Sequence, residues 1–265
     1  MPNSVSRKIL FVINPVSGVK SKVDWSAEIQ HYFEPLHHSI ELFLLEGDNN
    51  EASLIQLLKN SNFERVVAVG GDGTVSMVAK HLLGTSISLG ILPAGSANGM
   101  AKELQIPEDI TAALNLIVSD NIHAADVINV NGHICMHLSD IGINAQLIKY
   151  FEEGNWRGKL GYARMVVKVL RKKQNMQLTM QTKEVEVKCS AFMVVLANAS
   201  KYGFGAIINP DGDLYDGLFE VIVMRKLAIS EFFKMWFGPP KFNPQNIEIF
   251  HAKAVTIETT RKVHF

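Results

Sequence analysis

The chain has 265 residues, with 26 basic and 26 acidic side chains, so its formal net charge at neutral pH is zero and general nucleic-acid binding through bulk electrostatics is excluded. That length buries a substantial core, in one large domain or two of modest size. Cys135 and Cys189 lie far apart in apolar stretches, which excludes a disulfide framework or a zinc-ligand spacing and reads as two buried free thiols.

Arg7 and Lys8 precede a short apolar run, Ile9 to Ile13, that ends at Asn14 and Pro15. It is too short for the apolar region of a signal peptide and reads as a first strand. A helix about Trp25 to Phe33, a strand Ile40 to Leu45 and a helix about Glu51 to Leu58 follow. Next come a strand Val66 to Val69, a helix opening at Thr74, a strand Ser88 to Leu92, and helices about Asn98 to Leu104 and Ile110 to Ser119. This alternation predicts an α/β domain over 1–124 with a parallel sheet, whose ligands bind at the carboxyl ends of the strands.

The most informative stretch is 66–74, Val-Val-Ala-Val-Gly-Gly-Asp-Gly-Thr, a β-branched run that stops in three glycines around one acid. Beyond Thr74 the apolar positions Val75, Val78, Ala79, Leu82 and Leu83 take helical spacing. Glycines let an anion approach backbone amides, and unpaired N–H groups at a helix start carry partial positive charge, so the turn suits a nucleotide phosphate. Asp72 inside that turn needs a Mg²⁺, a sugar hydroxyl or a transferable proton between itself and the phosphates. The competing reading is a tight turn in which an aspartate caps the helix. Neither a P-loop nor a dinucleotide fingerprint fits the spacing. Two further strand ends carry related loops, Asn14 to Gly18 and Pro93 to Asn98; converging at one rim, the three would surround a polyphosphate with amides, the Ser17, Thr74 and Ser96 hydroxyls and the Asn14 and Asn98 side chains.

The pattern changes at Asp126. Val127 to His137 carries a central Asn131-Gly132, a hairpin signal. Strands follow at about Gln177 to Thr182, Glu184 to Cys189, Ala191 to Leu196, Leu218 to Met224, Ile247 to Phe250 and Ala254 to Glu258, which predicts a mostly antiparallel β domain over 125–265. No segment approaches the roughly 18 to 20 apolar residues that span a bilayer, so a soluble, cytoplasmic protein is expected. The nine histidines lack metal-ligand spacing.

These residues resemble the diacylglycerol kinase catalytic-domain family, which includes bacterial lipid kinases and sphingosine and ceramide kinases. The resemblance rests on Asn14-Pro15-x-Ser17-Gly18, on the Gly70 to Thr74 turn, on Gly90 to Asn98, and on Asn-Pro-Asp-Gly-Asp-Leu-Tyr-Asp-Gly-Leu-Phe over 209–219. The glycine-aspartate-glycine core alone is shared with NAD kinases and phosphofructokinases; the other segments favour the lipid kinases. The resemblance implies ATP contacts at Gly70, Gly71, Asp72, Gly73, Thr74, Val75 and Ser76 and at Ser96, besides Asn14 and Asn98. It also implies a structural Mg²⁺ held by the Asp216 carboxylate and by groups at Asp213 and Leu218. The competing reading of that second set is a polar turn before a strand.

Where this chain departs from the family, Asn98 is followed by Gly99 in place of a common aspartate, and the threonine some bacterial members place after the second strand is not evident around Phe43 to Glu46. Family chains also continue past a strand like Lys262 to Phe265 into an Asp-Gly-Glu segment that supplies the proposed base. With the sequence stopping at Phe265, it is expected to be either a fragment or a protein of weak or no activity. Asp72 is then the acid expected near the phosphate, as base or metal contact.

A lipid kinase meets a membrane surface. Residues 154–183 hold eight basic and no acidic side chains, and Arg164, Lys168 and Arg171 fall at helical spacing, suited either to anionic headgroups at the inner face of the membrane or to a solvated helix face. Phe232, Phe233, Met235, Trp236 and Phe237 form a second apolar group, for which core packing outweighs acyl-chain contact. The expected activity is ATP-dependent phosphorylation of the hydroxyl of a diacylglycerol-like or sphingoid-like lipid, with nucleotide between the two domains. The alternatives are a non-catalytic nucleotide or lipid binder and a soluble-metabolite kinase such as an NAD kinase. The partners expected are ATP, the lipid and the membrane surface; homodimerisation is left open.

Overall fold

The structure is a computed structural model and describes residues 6–18, 23–46, 50–142, 175–202, 206–226, 229–235 and 238–260. The chain forms two compact units, Met1–Ala124 and Ala125–Phe265.

In the first unit, β1 (Lys8–Ile13), α1 (Trp25–Phe33), β2 (Ser39–Leu44), α2 (Asn50–Asn60), β3 (Arg65–Gly70), α3 (Asp72–Leu82), β4 (Ser88–Pro93), α4 (Gly99–Glu103) and α5 (Ile110–Val118) alternate as expected. The four strands form one parallel sheet in the order β2-β1-β3-β4. Every residue of β3 is buried, because helices cover both faces of a central parallel strand and its β-branched run has no solvent side. Ile9, Phe11, Val67, Val69 and Leu92 pack with Ile29 and Phe33 of α1 and Leu114 and Ile117 of α5. Burying each such side chain is worth about 1.5–3 kcal/mol. Asp24 and Asp109 start α1 and α5 by accepting the Ala27 and Ala112 amides at 3.1 and 2.8 Å, so each helix begins where its cap sits.

The second unit is built from antiparallel strands. β5 (Ile128–Val130) and β6 (His133–Cys135) form the expected hairpin, with Asn131 and Gly132 at φ of 51° and 90°, the positive values a two-residue turn of this hand requires. Next come β7 (Leu138–Ile141), β8 (Met176–Gln181), β9 (Glu186–Ala191), β10 (Met193–Ala197), β11 (Lys201–Tyr202), β12 (Ala206–Ile207), β13 (Phe219–Met224), a helix α6 (Ile229–Lys234), β14 (Ile247–Ala252) and β15 (Thr256–Thr259). The larger sheet runs β14-β13-β10-β7 and a second runs β15-β8-β9. Both faces of the larger sheet are covered: Val194, Leu196, Val221 and Val223 join one core, and Met193, Val195, Ile222 and Met224 another. That double burial explains the near-continuous apolar run of β10 and β13.

Cys135 and Cys189 are free but half-buried, where full burial was expected, because both lie on strands of the smaller sheets with one face only partly covered. Burial pushes the Cys135 thiol up from its ordinary value, outweighing a backbone hydrogen bond near His137. Met235 is buried and Phe233 is more than half exposed at 55%, so the apolar group near α6 is not uniformly core; Trp236, Phe237 and the Phe232 side chain lie outside the described residues. Arg164, Lys168, Arg171 and Lys262 to Phe265 lie outside them as well. Among the described residues no helix is long and apolar enough to cross a membrane.

Candidate functional site

Three loops meet at the carboxyl end of the parallel sheet, and named bonds tie them together. Asn14, just past β1, donates its backbone amide to the Val69 carbonyl at 3.0 Å and its side-chain amide to the Thr74 hydroxyl at 3.1 Å. Its Oδ1 accepts the Val16 amide at 3.2 Å, which curls the first loop back on itself. One asparagine therefore joins the first loop to the first turn of α3.

The turn between β3 and α3 works because it lacks side chains. A Cβ on Gly70 would stand 2.3 Å from the Thr74 hydroxyl, and one on Gly95 would stand 2.4 Å from the Gly71 Cα, so the third-strand and fourth-strand loops touch backbone to backbone. Gly71 occupies the N-cap with no side-chain cap bond, and the first intrahelical bond runs from the Val75 amide to the Gly71 carbonyl at 3.1 Å. The amides of Asp72, Gly73 and Thr74 precede that bond. They carry the partial positive charge of a helix start, and Gly73 is exposed. Thr74 and Val75 are 5% and 2% exposed, so Val75 offers the site only backbone.

The fourth-strand loop is braced from both ends. Asn98 takes a left-handed conformation, and its side chain accepts the Gly95 amide at 2.8 Å while donating to the Gly95 carbonyl at 2.9 Å. This leaves Ser96 exposed at the tip. The Asp72 carboxylate reaches the start of α4, with Oδ2 accepting the Gly99 amide and Oδ1 the Met100 amide, both at 2.9 Å. Asp72 is thus a cap, but of α4 and not of its own helix. Lys102, which sequence reasoning did not single out, donates from Nζ to the Ala97 carbonyl at 2.6 Å and brings a cation to the loop. Its one-turn distance from Asn98 was the available signal.

The structure thus gathers Asn14, Gly70, Gly71, Asp72, Gly73, Thr74, Val75, Ser76, Ser96 and Asn98 on three connected loops. Bare amides, hydroxyls and a nearby ammonium in a cradle that a Cβ would fill suit a polyphosphate.

Asp213, Asp216 and Leu218 belong to the second unit. Asp213 Oδ1 accepts the Tyr215 amide at 2.9 Å and Asp216 Oδ1 accepts the Leu218 amide at 2.8 Å, so each acid closes a local turn. Asp126, read from sequence only as the start of a new pattern, joins this loop: its Oδ2 accepts the Gly217 amide at 2.7 Å and its own amide donates to the Leu214 carbonyl at 2.8 Å. Among the described residues no group of three or more His, Cys, Asp or Glu side chains converges on one point. Carboxylate and carbonyl oxygens in an exposed loop are nonetheless the donor chemistry a hard divalent cation takes, with water completing its shell. Beneath the loop, Asn209 is fully buried and donates to the buried Glu220, which meets His251 across the β13–β14 pair at 2.9 Å.

The chain thus sets a glycine-rich turn at the carboxyl end of a parallel sheet and follows it with an antiparallel β unit. Residues 8–130 match the diacylglycerol kinase catalytic domain, and residues 139–265 match the YegS C-terminal NAD kinase beta sandwich-like domain. The two matches together take in nearly the whole chain, which belongs to the diacylglycerol kinase catalytic-domain family. The diacylglycerol kinase of Bacillus subtilis is 26% identical over 274 residues, covering 97% of this chain and 88% of that one. A crystal structure of a diacylglycerol kinase from Bacillus anthracis superimposes with a TM-score of 0.74 at 20% identity, covering 97% of this chain and 88% of that one, and a second from the same organism gives 0.79 at 21%. The two-unit α/β and antiparallel β fold is therefore shared with these structures.

Proposed function

We propose that the chain is an ATP-dependent lipid kinase that transfers the γ-phosphoryl group to the hydroxyl of a diacylglycerol-like or sphingoid-like lipid. The observation that carries this reading is the knitting of three loops around the first turn of α3, through Asn14 to Thr74, Gly71 against Gly95, and Asp72 to Gly99. Membership of the diacylglycerol kinase family supports a phosphotransferase, and the names of its relatives favour a lipid acceptor.

In this reading the amides of Asp72, Gly73 and Thr74 receive the phosphates, and the Thr74, Ser76 and Ser96 hydroxyls, Asn14 and Asn98 complete the cradle. Asp72 sits beside the phosphates and holds the α4 amides in place. Lys102 supplies positive charge near the transferring group, where electrostatic stabilisation is the main protein contribution to phosphoryl transfer. A Mg²⁺ at Asp213, Asp216 and Leu218 would neutralise carboxylate charge in the exposed loop; the residues hold that loop by the turns described. The protein would work in the cytoplasm and meet the inner face of the membrane through Arg164, Lys168 and Arg171.

The test is thin-layer separation of products after incubating the full chain with γ-labelled ATP, Mg²⁺ and micelles of diacylglycerol or sphingosine, with NAD in a parallel reaction. Labelled lipid is expected. Labelled NAD, or calorimetric ATP binding with no labelled product in any arm, overturns the proposal.

A further inference from the structure

The sequence contains two Asn-Gly pairs, Asn98-Gly99 in the fourth-strand loop and Asn131-Gly132 in the β5–β6 hairpin. An asparagine followed by glycine carries its own reaction. The glycine nitrogen, with no Cβ beside it to hinder approach, attacks the side-chain carbonyl carbon; ammonia leaves, a cyclic imide forms, and water opens it to aspartate or isoaspartate. The reaction needs no enzyme and no oxidant. It needs the N–H released, its proton lost to solvent, and the nitrogen brought up to the side chain.

In the folded chain Asn98 meets none of these needs. Its backbone is left-handed, with φ 49° and ψ 49°, which sets the Gly99 nitrogen nearly anti to the Asn98 Cβ about the Cα–C bond, away from the side-chain carbonyl carbon. Gly99 is buried and its amide donates to Asp72 Oδ2 at 2.9 Å, while Gly95 holds the Asn98 side chain at both ends, at 2.8 and 2.9 Å. The lock on the attacking nitrogen thus comes from a residue 27 positions away. Asn131 differs: it is exposed, and the Gly132 amide donates at 2.7 Å to the exposed Asn129 of the same hairpin.

The product at position 98 would not fit the loop. Asn98 Oδ1 accepts from the Gly95 amide and Nδ2 donates to the Gly95 carbonyl, so a carboxylate would set an oxygen against that carbonyl oxygen and add a negative charge beside the phosphate cradle. Isoaspartate would also lengthen the backbone there.

We propose that Asn98 is a self-modification site of the cradle: when the Asp72–Gly99 bond opens, the Gly99 nitrogen closes on the Asn98 side chain, ammonia is expelled, and hydrolysis leaves an aspartate or isoaspartate that no longer braces the loop for nucleotide. Asp72 therefore shields this side chain chemically as well as bracing α4. A bound triphosphate that keeps the loops closed lowers the population of the open form and slows the reaction. That protection rests on the ATP reading of the cradle; the modification itself does not.

The experiment incubates the full chain at mildly alkaline pH, folded and in urea, and follows both Asn-Gly pairs by peptide mass and by chromatographic separation of aspartate from isoaspartate, with Asn131 as internal reference. In urea the two sites are expected to react at similar rates, and in the folded chain Asn98 to react at least about tenfold more slowly. Asp72→Ala should raise the folded rate at Asn98 on the order of tenfold with Asn131 unchanged, the factor that one lost charge-assisted bond allows, whereas Asp72→Asn, which keeps an acceptor, should stay near the parent. Asn98→Asp should weaken ATP binding by about tenfold or more. Equal rates at Asn98 in the folded chain and in urea, or a folded Asp72→Ala variant with the parental rate, overturns the lock; no reaction at Asn98 in urea, or parental ATP affinity in Asn98→Asp, overturns the site. Should Asp72→Ala not fold, the comparison of folded chain with urea decides. Saturating ATP is expected to slow Asn98 further and leave Asn131 alone; a rate at Asn98 indifferent to ATP, with the other results standing, overturns the nucleotide reading and leaves the modification site in place.

Discussion

The carboxylate of Asp72 and the backbone amide of Gly99 lie 2.9 Å apart, a bond that joins the first turn of α3 to the first turn of α4 across 27 residues of chain. With the Met100 amide on its other oxygen, Asp72 is bound at both ends of its carboxylate. A single acid thus holds the fourth-strand loop against the glycine turn, at the point where phosphate is proposed to sit.

Replacing Asp72 with alanine removes both acceptors and leaves two amides at the start of α4 unpaired. The variant is expected to lose about 1–3 kcal/mol of stability, and more ATP affinity than this alone accounts for, because the loop carrying Ser96 loses its brace. Asp72→Asn keeps a carbonyl acceptor and should fall between the two. Urea unfolding alongside ATP titration checks both effects; an alanine variant with wild-type ATP affinity rules out the brace.

Two glycines in the same site predict opposite outcomes. Gly95→Ala drives a methyl to within 2.4 Å of the Gly71 Cα and should cost about 1–3 kcal/mol while abolishing nucleotide binding. Gly73→Ala meets nothing within 4 Å and sits in the first turn of α3, so the variant should be as stable as the parent or more so, by up to about 1 kcal/mol. Thermal melts of the pair decide it: equal losses would mean the loops are not in backbone contact.

Acid stability should carry the signature of Glu231. Burial pushes its carboxyl up, but the Lys234 ammonium at 3.0 Å and the Asn246 amide at 3.4 Å, with the Lys234 charge and the Asn243 backbone, hold it below the usual glutamate value. A depressed folded value means the stabilisation is complete above the unfolded pKa, about 4.3, and is lost as pH falls through the lower folded one. Glu231→Gln removes this dependence, so its melting temperature should decline less steeply than the parent's below about pH 4.3. Parallel slopes would show that the pair contributes nothing.

Glu220 is expected to support the acidic loop of the second unit. It is 2% exposed, accepts from the fully buried Asn209 and pairs with His251. Glu220→Ala leaves the Asn209 amide without that acceptor beneath the Asp213–Asp216 turns and should cost about 1.5–3 kcal/mol. If Mg²⁺ binds that loop, its affinity, read by calorimetry, should fall in the same variant. An unchanged melting curve would place Glu220 outside the loop's support.

The amino-acid sequence by itself determined the alternation of elements, because hydrophobic periodicity and turn residues are local. β1, β3, α1 and α3 lie within a residue or two of where their apolar spacing put them, and Asn131-Gly132 turns the hairpin its backbone demands. Likewise legible was the Gly70 to Thr74 turn, since side-chain absence before a helix start is a property of the chain alone. Only tertiary structure decided what Asp72 bonds to, that Lys102 reaches Ala97, and that Asp126 reaches Gly217 across 91 residues. Short β7 and the two-residue strands β11 and β12 were also invisible beforehand, because too few residues lie in them for a period to register. The physical reason is common to all of these: hydrogen-bond partners distant in sequence are selected by packing of the strands and helices that carry them, and no local pattern records that choice.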